Sequence, residues 1–213
     1  MSYCPRCGVK LPDDEDVRFC PNCGAPITHL KPREIKVWQI DRRRRIMVFL
    51  LVFIVCISAT IAGVISHVDP KQAHEIVKEV NKLGEVTSST RMGIPLIFGN
   101  NLMHTLIMFV PIVGPFWGLF VLYNTGTAYA AYAILYKASP LVLFSSAFIL
   151  PFTWMEFISY ALAISESLWI TYALLKRNIK RELVLAAIMI AVCNILLLFG
   201  ALIEAAIISS FPS

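Results

Sequence analysis

Long uncharged apolar runs alternate with short polar stretches along this chain, and the length of each run determines how it reads. Residues 46–66 carry no charge. At about 1.5 Å per residue they are long enough to cross a hydrocarbon core of about 30 Å. The next uncharged run, 96–136, is too long for a single crossing and is interrupted by Pro111-Ile-Val-Gly114-Pro115. It therefore reads as two spans, about 96–113 and 116–136, joined by a tight connection. Residues 141–150 are apolar but too short to cross, and Pro151 closes them, so they read as a half-helix or as the first part of a kinked span. Residues 151–175 and 183–209 supply a fourth and a fifth span. Between the first two spans the chain turns polar, and Asp69-Pro70-Lys-Gln72 has the form of a cap and first turn. An outer-side helix is expected over about 70–83, with Ala73, Ile76, Val77, Val80 and Leu83 on its apolar face and Gly84 as its stop.

The fourth span has a polar seam. At 100° per residue Glu156, Ser159, Tyr160, Ala163, Glu166 and Ser167 fall on one side of a helix, and apolar side chains fill the rest. A carboxylate facing lipid costs roughly 2.5–3.5 kcal/mol on insertion scales, so the seam is expected to face other helices or a wet cavity. Other polar groups at membrane depth are Asn100, Asn101 and His104 in the second span, Asn124 in the third and Glu204 in the fifth. Together with Glu156 and Glu166 they make the candidate intramembrane polar site.

Composition fits this pattern. The chain is 57% hydrophobic and 15% charged, with a mean hydropathy of +0.69. That places it outside the range of ordinary soluble domains. The fold class is an all-α polytopic membrane bundle of about five transmembrane helices, with a half-helix or kink and a small amino-terminal module. The polar, cysteine-bearing start does not fit a cleavable signal peptide. The formal charge of +5 is concentrated beside the spans, in Arg42-Arg-Arg-Arg45 and in the stretch holding Lys176, Arg177, Lys180 and Arg181. Five crossings put both clusters on the cytoplasmic side, as the positive-inside rule asks. A multi-pass cell-membrane protein is expected, with its amino terminus cytoplasmic and its carboxyl terminus outside. The domains read as 1–28, a linker over 29–45 and a transmembrane domain over 46–213.

Residues 1–28 carry Cys4-Pro-Arg-Cys7-Gly and Cys20-Pro-Asn-Cys23-Gly. Two such knuckles bring four thiolates to one tetrahedral ion, and zinc is the expected occupant, ahead of disulfides or a rubredoxin-type iron site. The module resembles a rubredoxin-knuckle zinc ribbon over residues 3–27, and Cys4, Cys7, Cys20 and Cys23 are its metal ligands by that resemblance. The acidic run Asp13-Asp-Glu-Asp16 argues against nucleic acid as its partner, since it would repel phosphate. A cytosolic protein partner is expected instead.

Short motifs in the spans resemble the stage II sporulation protein M family of integral membrane proteins, including its archaeal members. They are Ile97-Phe-Gly-Asn-Asn101, Asn124-Thr125-Gly126 and Pro151-Phe-Thr-Trp-Met-Glu156, the last similar to P-H-G-x-x-E. Phe152 and Thr153 stand where that motif has histidine and glycine, and Thr125 interrupts an N-G pair. The resemblance covers roughly 46–209 and implies a membrane anchor for other proteins. No H-E-x-x-H or comparable catalytic arrangement is evident, so no enzyme is expected. Two functions stay open at this point. One is a non-enzymatic homo-oligomeric scaffold in the lipid bilayer whose zinc ribbon recruits a partner; the other is a transporter or channel whose carboxylates line a cation or proton path.

Overall fold

The computed structural model of the chain describes residues 3–4, 6–11, 19–26, 42–88, 93–176 and 179–210. The acidic run 13–16 and most of the expected linker lie outside the described residues. The chain divides into two units, Met1–Asp41 and Arg42–Ser213.

In the first unit two knuckles repeat one backbone plan. Isolated antiparallel bridges join Tyr3 to Lys10 and Phe19 to Pro26. Inside each, an amide closes the turn on the first cysteine: Gly8 donates to the Cys4 carbonyl and Gly24 to the Cys20 carbonyl, both at 2.9 Å. Gly8 and Gly24 take positive φ, 70° and 67°, which a side chain would strain. Cys4, Leu11, Cys20 and Ala25 are the buried centre. A core this small cannot stabilise a fold by burial alone.

The second unit holds the seven helices found among the described residues: α1 Arg42–Val64, α2 Pro70–Ser88, α3 Gly93–Met108, α4 Val113–Tyr136, α5 Pro140–Ala147, α6 Pro151–Leu175 and α7 Lys180–Ser210. Three of them, α1, α6 and α7, are long and apolar enough to cross a membrane. With 16 residues α3 is shorter than a crossing needs, and α4 is long enough but interrupts its apolar run with Asn124, Thr125, Gly126 and Thr127. α6 is the most buried of the three apolar helices and packs against α1, α3, α4 and α7.

Several boundaries differ from the expected ones. α1 begins at the first residue of the arginine run, Arg42, because arginine is a good helix former. α2 runs on past Gly84 to Ser88; a glycine inside a helix costs only about 1 kcal/mol and need not end it. α3 stops at Met108, before the expected 113, because the turn needs residues 109–112. There Ile112 sits at φ 67° and the Val113 amide donates to the Pro111 carbonyl at 2.7 Å, a strained three-residue turn. Two hydroxyls of α6 fasten this turn: Ser167 donates to the Val110 carbonyl at 2.7 Å, and the Ile112 amide donates to Thr171 Oγ1 at 3.1 Å. Residues 141–150 form a separate short helix, α5, followed by a break. The Trp154 indole N–H donates to the Phe148 carbonyl across that break at 2.8 Å, and Phe144, Phe148 and Phe157 pack edge-on or tilted around it.

Close helix approach depends on glycines. At the α1–α4 crossing a Cβ on Gly63 would lie 2.1 Å from the Tyr123 carbonyl oxygen, and one on Gly126 would lie 2.1 Å from that of Thr60. Backbone therefore rests on backbone. α2 lays Ala73, Ile76 and Val77 against Ala130, Ala131, Tyr132 and Leu135 of α4, and Tyr132 donates to Asn81 at 2.7 Å.

Candidate functional site

The four knuckle cysteines converge. Their sulfurs all lie within 4.8 Å of one another, with Cys4 to Cys23 at 3.7 Å and Cys7 to Cys20 at 3.6 Å. Tetrahedral zinc with bonds of about 2.3 Å requires sulfur pairs about 3.8 Å apart, so the cage has the right size. Backbone amides prepare the thiolates. The Val9 amide, pointing at Cys7, brings that thiol down to about 6, and the amides of Arg6 and Cys7 lower Cys4. Cys23 moves the other way, to about 12: the Ala25 amide pulls it down, but desolvation and the three neighbouring thiols outweigh it. Four sulfurs this close cannot all carry charge without a cation among them, and a divalent metal supplies one.

The expected polar residues fall into two clusters and isolated positions. In the first cluster Asn101 of α3 is the hub: its Nδ2 donates to Glu156 Oε1 at 2.5 Å, and its Oδ1 accepts from the Tyr160 hydroxyl at 3.2 Å and from Asn100 Nδ2 at 3.5 Å. Glu204 of α7 lies within electrostatic range of Glu156.

The second cluster forms around Glu166. Arg45 Nη1 donates to both of its oxygens, at 2.9 and 3.1 Å, while Nη2 donates to Glu182 at the start of α7. The guanidinium also lies over the Trp169 ring, 5.2 Å from its centre. The first turns of α1 and α7 thus meet the second half of α6 at one end of the bundle, the end where Ser167 and Thr171 hold the α3–α4 turn.

His104 and Asn124 join neither cluster. The His104 ring packs on Trp117, 5.8 Å between centres, and its Nδ1 is buried without a partner among the described residues. Asn124 is exposed and donates to the Phe120 carbonyl of its own helix at 2.8 Å. Sequence reasoning missed Arg45 and Glu182 as site residues. A signal for Arg45 existed: it is in register with Val52, Cys56 and Gly63, the buried stripe of α1.

The cysteine cage and its twin knuckles define a metal-binding ribbon module at the amino terminus of a helical chain that has three helices long and apolar enough to cross a membrane. A zinc-ribbon domain family matches residues 3–27, the segment that holds all four ligands. No curated protein and no solved structure matches the chain.

Proposed function

We propose that the chain is a non-enzymatic, homo-oligomeric membrane scaffold whose zinc ribbon, on the cytoplasmic side, recruits a protein partner. The carrying observation is that each carboxylate of α6 is engaged by a side chain of a neighbouring helix, Glu156 by Asn101 and Glu166 by Arg45. Carboxylates used this way join helices; they are not held open for a passing ion. In this reading α3 and α4 also cross the bilayer, which makes five spans. The Arg45–Glu182 contact supports a shared cytoplasmic end for the basic clusters, and an outer carboxyl terminus follows. Kinship with the stage II sporulation protein M family belongs to the same proposal. Two of its motif positions, Asn101 and Glu156, come from different helices and hydrogen-bond to each other, and Gly126 of a third motif makes the α1–α4 crossing.

The test compares tagged full-length protein with its Cys20→Ser variant, purified from native membranes. A partner that copurifies with the first and is lost from the second supports recruitment by the folded ribbon; equal recovery with both contradicts it.

One observation favours transport as a second reading: the amide chain from exposed Asn100 through Asn101 reaches Glu156, with Glu204 in range. Under that reading, proteoliposomes conduct protons or cations and Glu156→Gln abolishes the flux. Absence of flux above empty vesicles removes it.

A further inference from the structure

Positive charge gathers at one end of the helical bundle, and part of it has no acidic counterpart. Residues 42–45 and 176–182 together carry eight lysine and arginine side chains and one glutamate. Side-chain contacts bring both stretches to the same end: Arg45 of α1 donates to Glu182 in the first turn of α7, and its guanidinium lies over Trp169 in the last third of α6. Two acids reach this end, Glu166 and Glu182. Both are withdrawn from the surface, their side chains 8% and 7% exposed and bound to Arg45. The other acids of the described residues lie on or just before α2, in the first turns of α6 and near the end of α7. Arg45 therefore answers the acids of this end from inside the bundle. Arg42, Arg44 and Lys180 are exposed and pair with no acid among the described residues. At 100° per residue Arg42 and Arg44 project about 60° and 100° to either side of Arg45.

An aromatic ladder runs through the same end. The Arg45 guanidinium lies 5.2 Å from the Trp169 ring centre, Trp169 meets Tyr172 edge-on at 6.4 Å, and the Lys176 ammonium lies 5.7 Å from the Tyr172 ring centre. Tryptophan and tyrosine collect at the headgroup level of a bilayer. Leu168, Leu174 and Leu175 of the same helix are exposed, a surface suited to acyl chains.

We propose that this end of the bundle is a docking surface for anionic phospholipid, with Arg42, Arg44 and Lys180 holding headgroup phosphates and Trp169 and Tyr172 seated at the headgroup boundary. Phospholipid is the occupant, ahead of nucleic acid or an acidic protein, because unpaired cations, interfacial rings and exposed leucines adjoin there, and a phosphodiester that carries acyl chains is the anion that meets all three. The positive-inside rule accounts for the side on which these charges stay, not for the lipid they meet. The inference rests on the bundle lying in a bilayer, and on neither recruitment nor transport.

The test uses Trp169 as a local reporter. Full-length protein carrying Trp38→Phe, Trp117→Phe and Trp154→Phe is reconstituted in phosphatidylcholine liposomes, in which a small fraction of either phosphatidylglycerol or phosphatidylcholine has brominated acyl chains that quench the remaining indole. One cation near such a surface is worth about fivefold in affinity, so brominated phosphatidylglycerol should quench as though enriched at least tenfold over brominated phosphatidylcholine, and high salt should reduce the preference. Adding Arg42→Gln, Arg44→Gln and Lys180→Gln should bring the two lipids within about twofold of each other, while Arg42→Lys with Arg44→Lys should keep most of the preference. Lys71→Gln with Lys78→Gln, on α2, should leave it unchanged; an equal loss there overturns the assignment to this end. Equal quenching by both lipids in the unsubstituted reporter overturns the proposal, as does a preference that survives the triple glutamine variant. So does a basic end that ignores phosphatidylglycerol yet binds a fluorescent oligonucleotide. Quenching by neither lipid overturns the bilayer placement as well. Helical circular dichroism of each variant establishes that a lost preference is not a lost fold.

Discussion

Arg45→Met isolates the cluster around Glu166. The substitution keeps an unbranched apolar stem like that of arginine and removes a guanidinium that makes three hydrogen bonds to two carboxylates, Glu166 and Glu182. Those acceptors are nearly inaccessible, with side chains 8% and 7% exposed, while Arg45 itself is 20% exposed. Charge-assisted hydrogen bonds contribute about 1.5–3 kcal/mol each, but three on one group are not additive. The larger effect is that two acidic side chains are left facing each other with no cation, and breaking a buried pair from one side costs about 3–5 kcal/mol. Arg45 is partly wet, so the lower end applies, about 3 kcal/mol. The assay is reversible unfolding of the purified protein in mixed micelles by increasing denaturing detergent, followed by helical circular dichroism. A second arm makes the result specific: replacing Arg45, Glu166 and Glu182 together by methionine removes the stranded charges as well and should restore stability to within about 1 kcal/mol of wild type. A single variant that loses less than about 1 kcal/mol refutes the reasoning, as does a triple variant as unstable as the single one.

Three further outcomes follow from other parts of the chain. Gly126→Val should lose about 1–3 kcal/mol or more in the same assay, because its Cβ would press 2.1 Å from the Thr60 carbonyl oxygen, whereas Gly99→Ala, inside α3 with open space for its Cβ, should raise stability by about 0.5–1 kcal/mol. Ile112→Gly should raise stability by about 1 kcal/mol by relieving a side chain held at φ 67°; a loss would mean that the turn is not strained. Metal analysis should find about one zinc per chain. A strong chelator should then abolish the dispersed amide resonances of residues 3–26 while the helical circular dichroism stays intact, since the ribbon has no other source of folding energy.

What could be read from the sequence depended on whether a feature is set locally. α6 runs from Pro151 to Leu175 as expected, because proline fits the first turn of a helix and Lys176 marks where the apolar run ends. The cysteine cage was equally legible, since four ligands at fixed spacing fix their own geometry. Less legible was the count of crossings, because α3 and α4 are respectively short and diluted by polar residues; their place in the bilayer depends on what surrounds them. The seam on α6 illustrates the same limit. Its face is real, yet Glu156 and Glu166 are about 15 Å apart at helical rise and meet different helices. One face therefore serves two unconnected clusters.

The arginine run shows why the second of those clusters stayed hidden. A basic block at the mouth of a span is fully accounted for by membrane topology, so nothing in Arg42 to Arg45 by itself asks for a buried acidic partner. A helix, however, turns only one residue in about four toward a given neighbour. Arg42 and Arg44 stay exposed, while Arg45 falls in line with Val52, Cys56 and Gly63 and is carried into the bundle. The two roles are separable. Moving the run back by one residue, to 41–44, would keep four positive charges at the start of the helix and leave position 45, the one in line with the buried stripe and Glu166, without an arginine. The packing partner is thus encoded in the phase of the run relative to the buried stripe, while topology depends only on its charge.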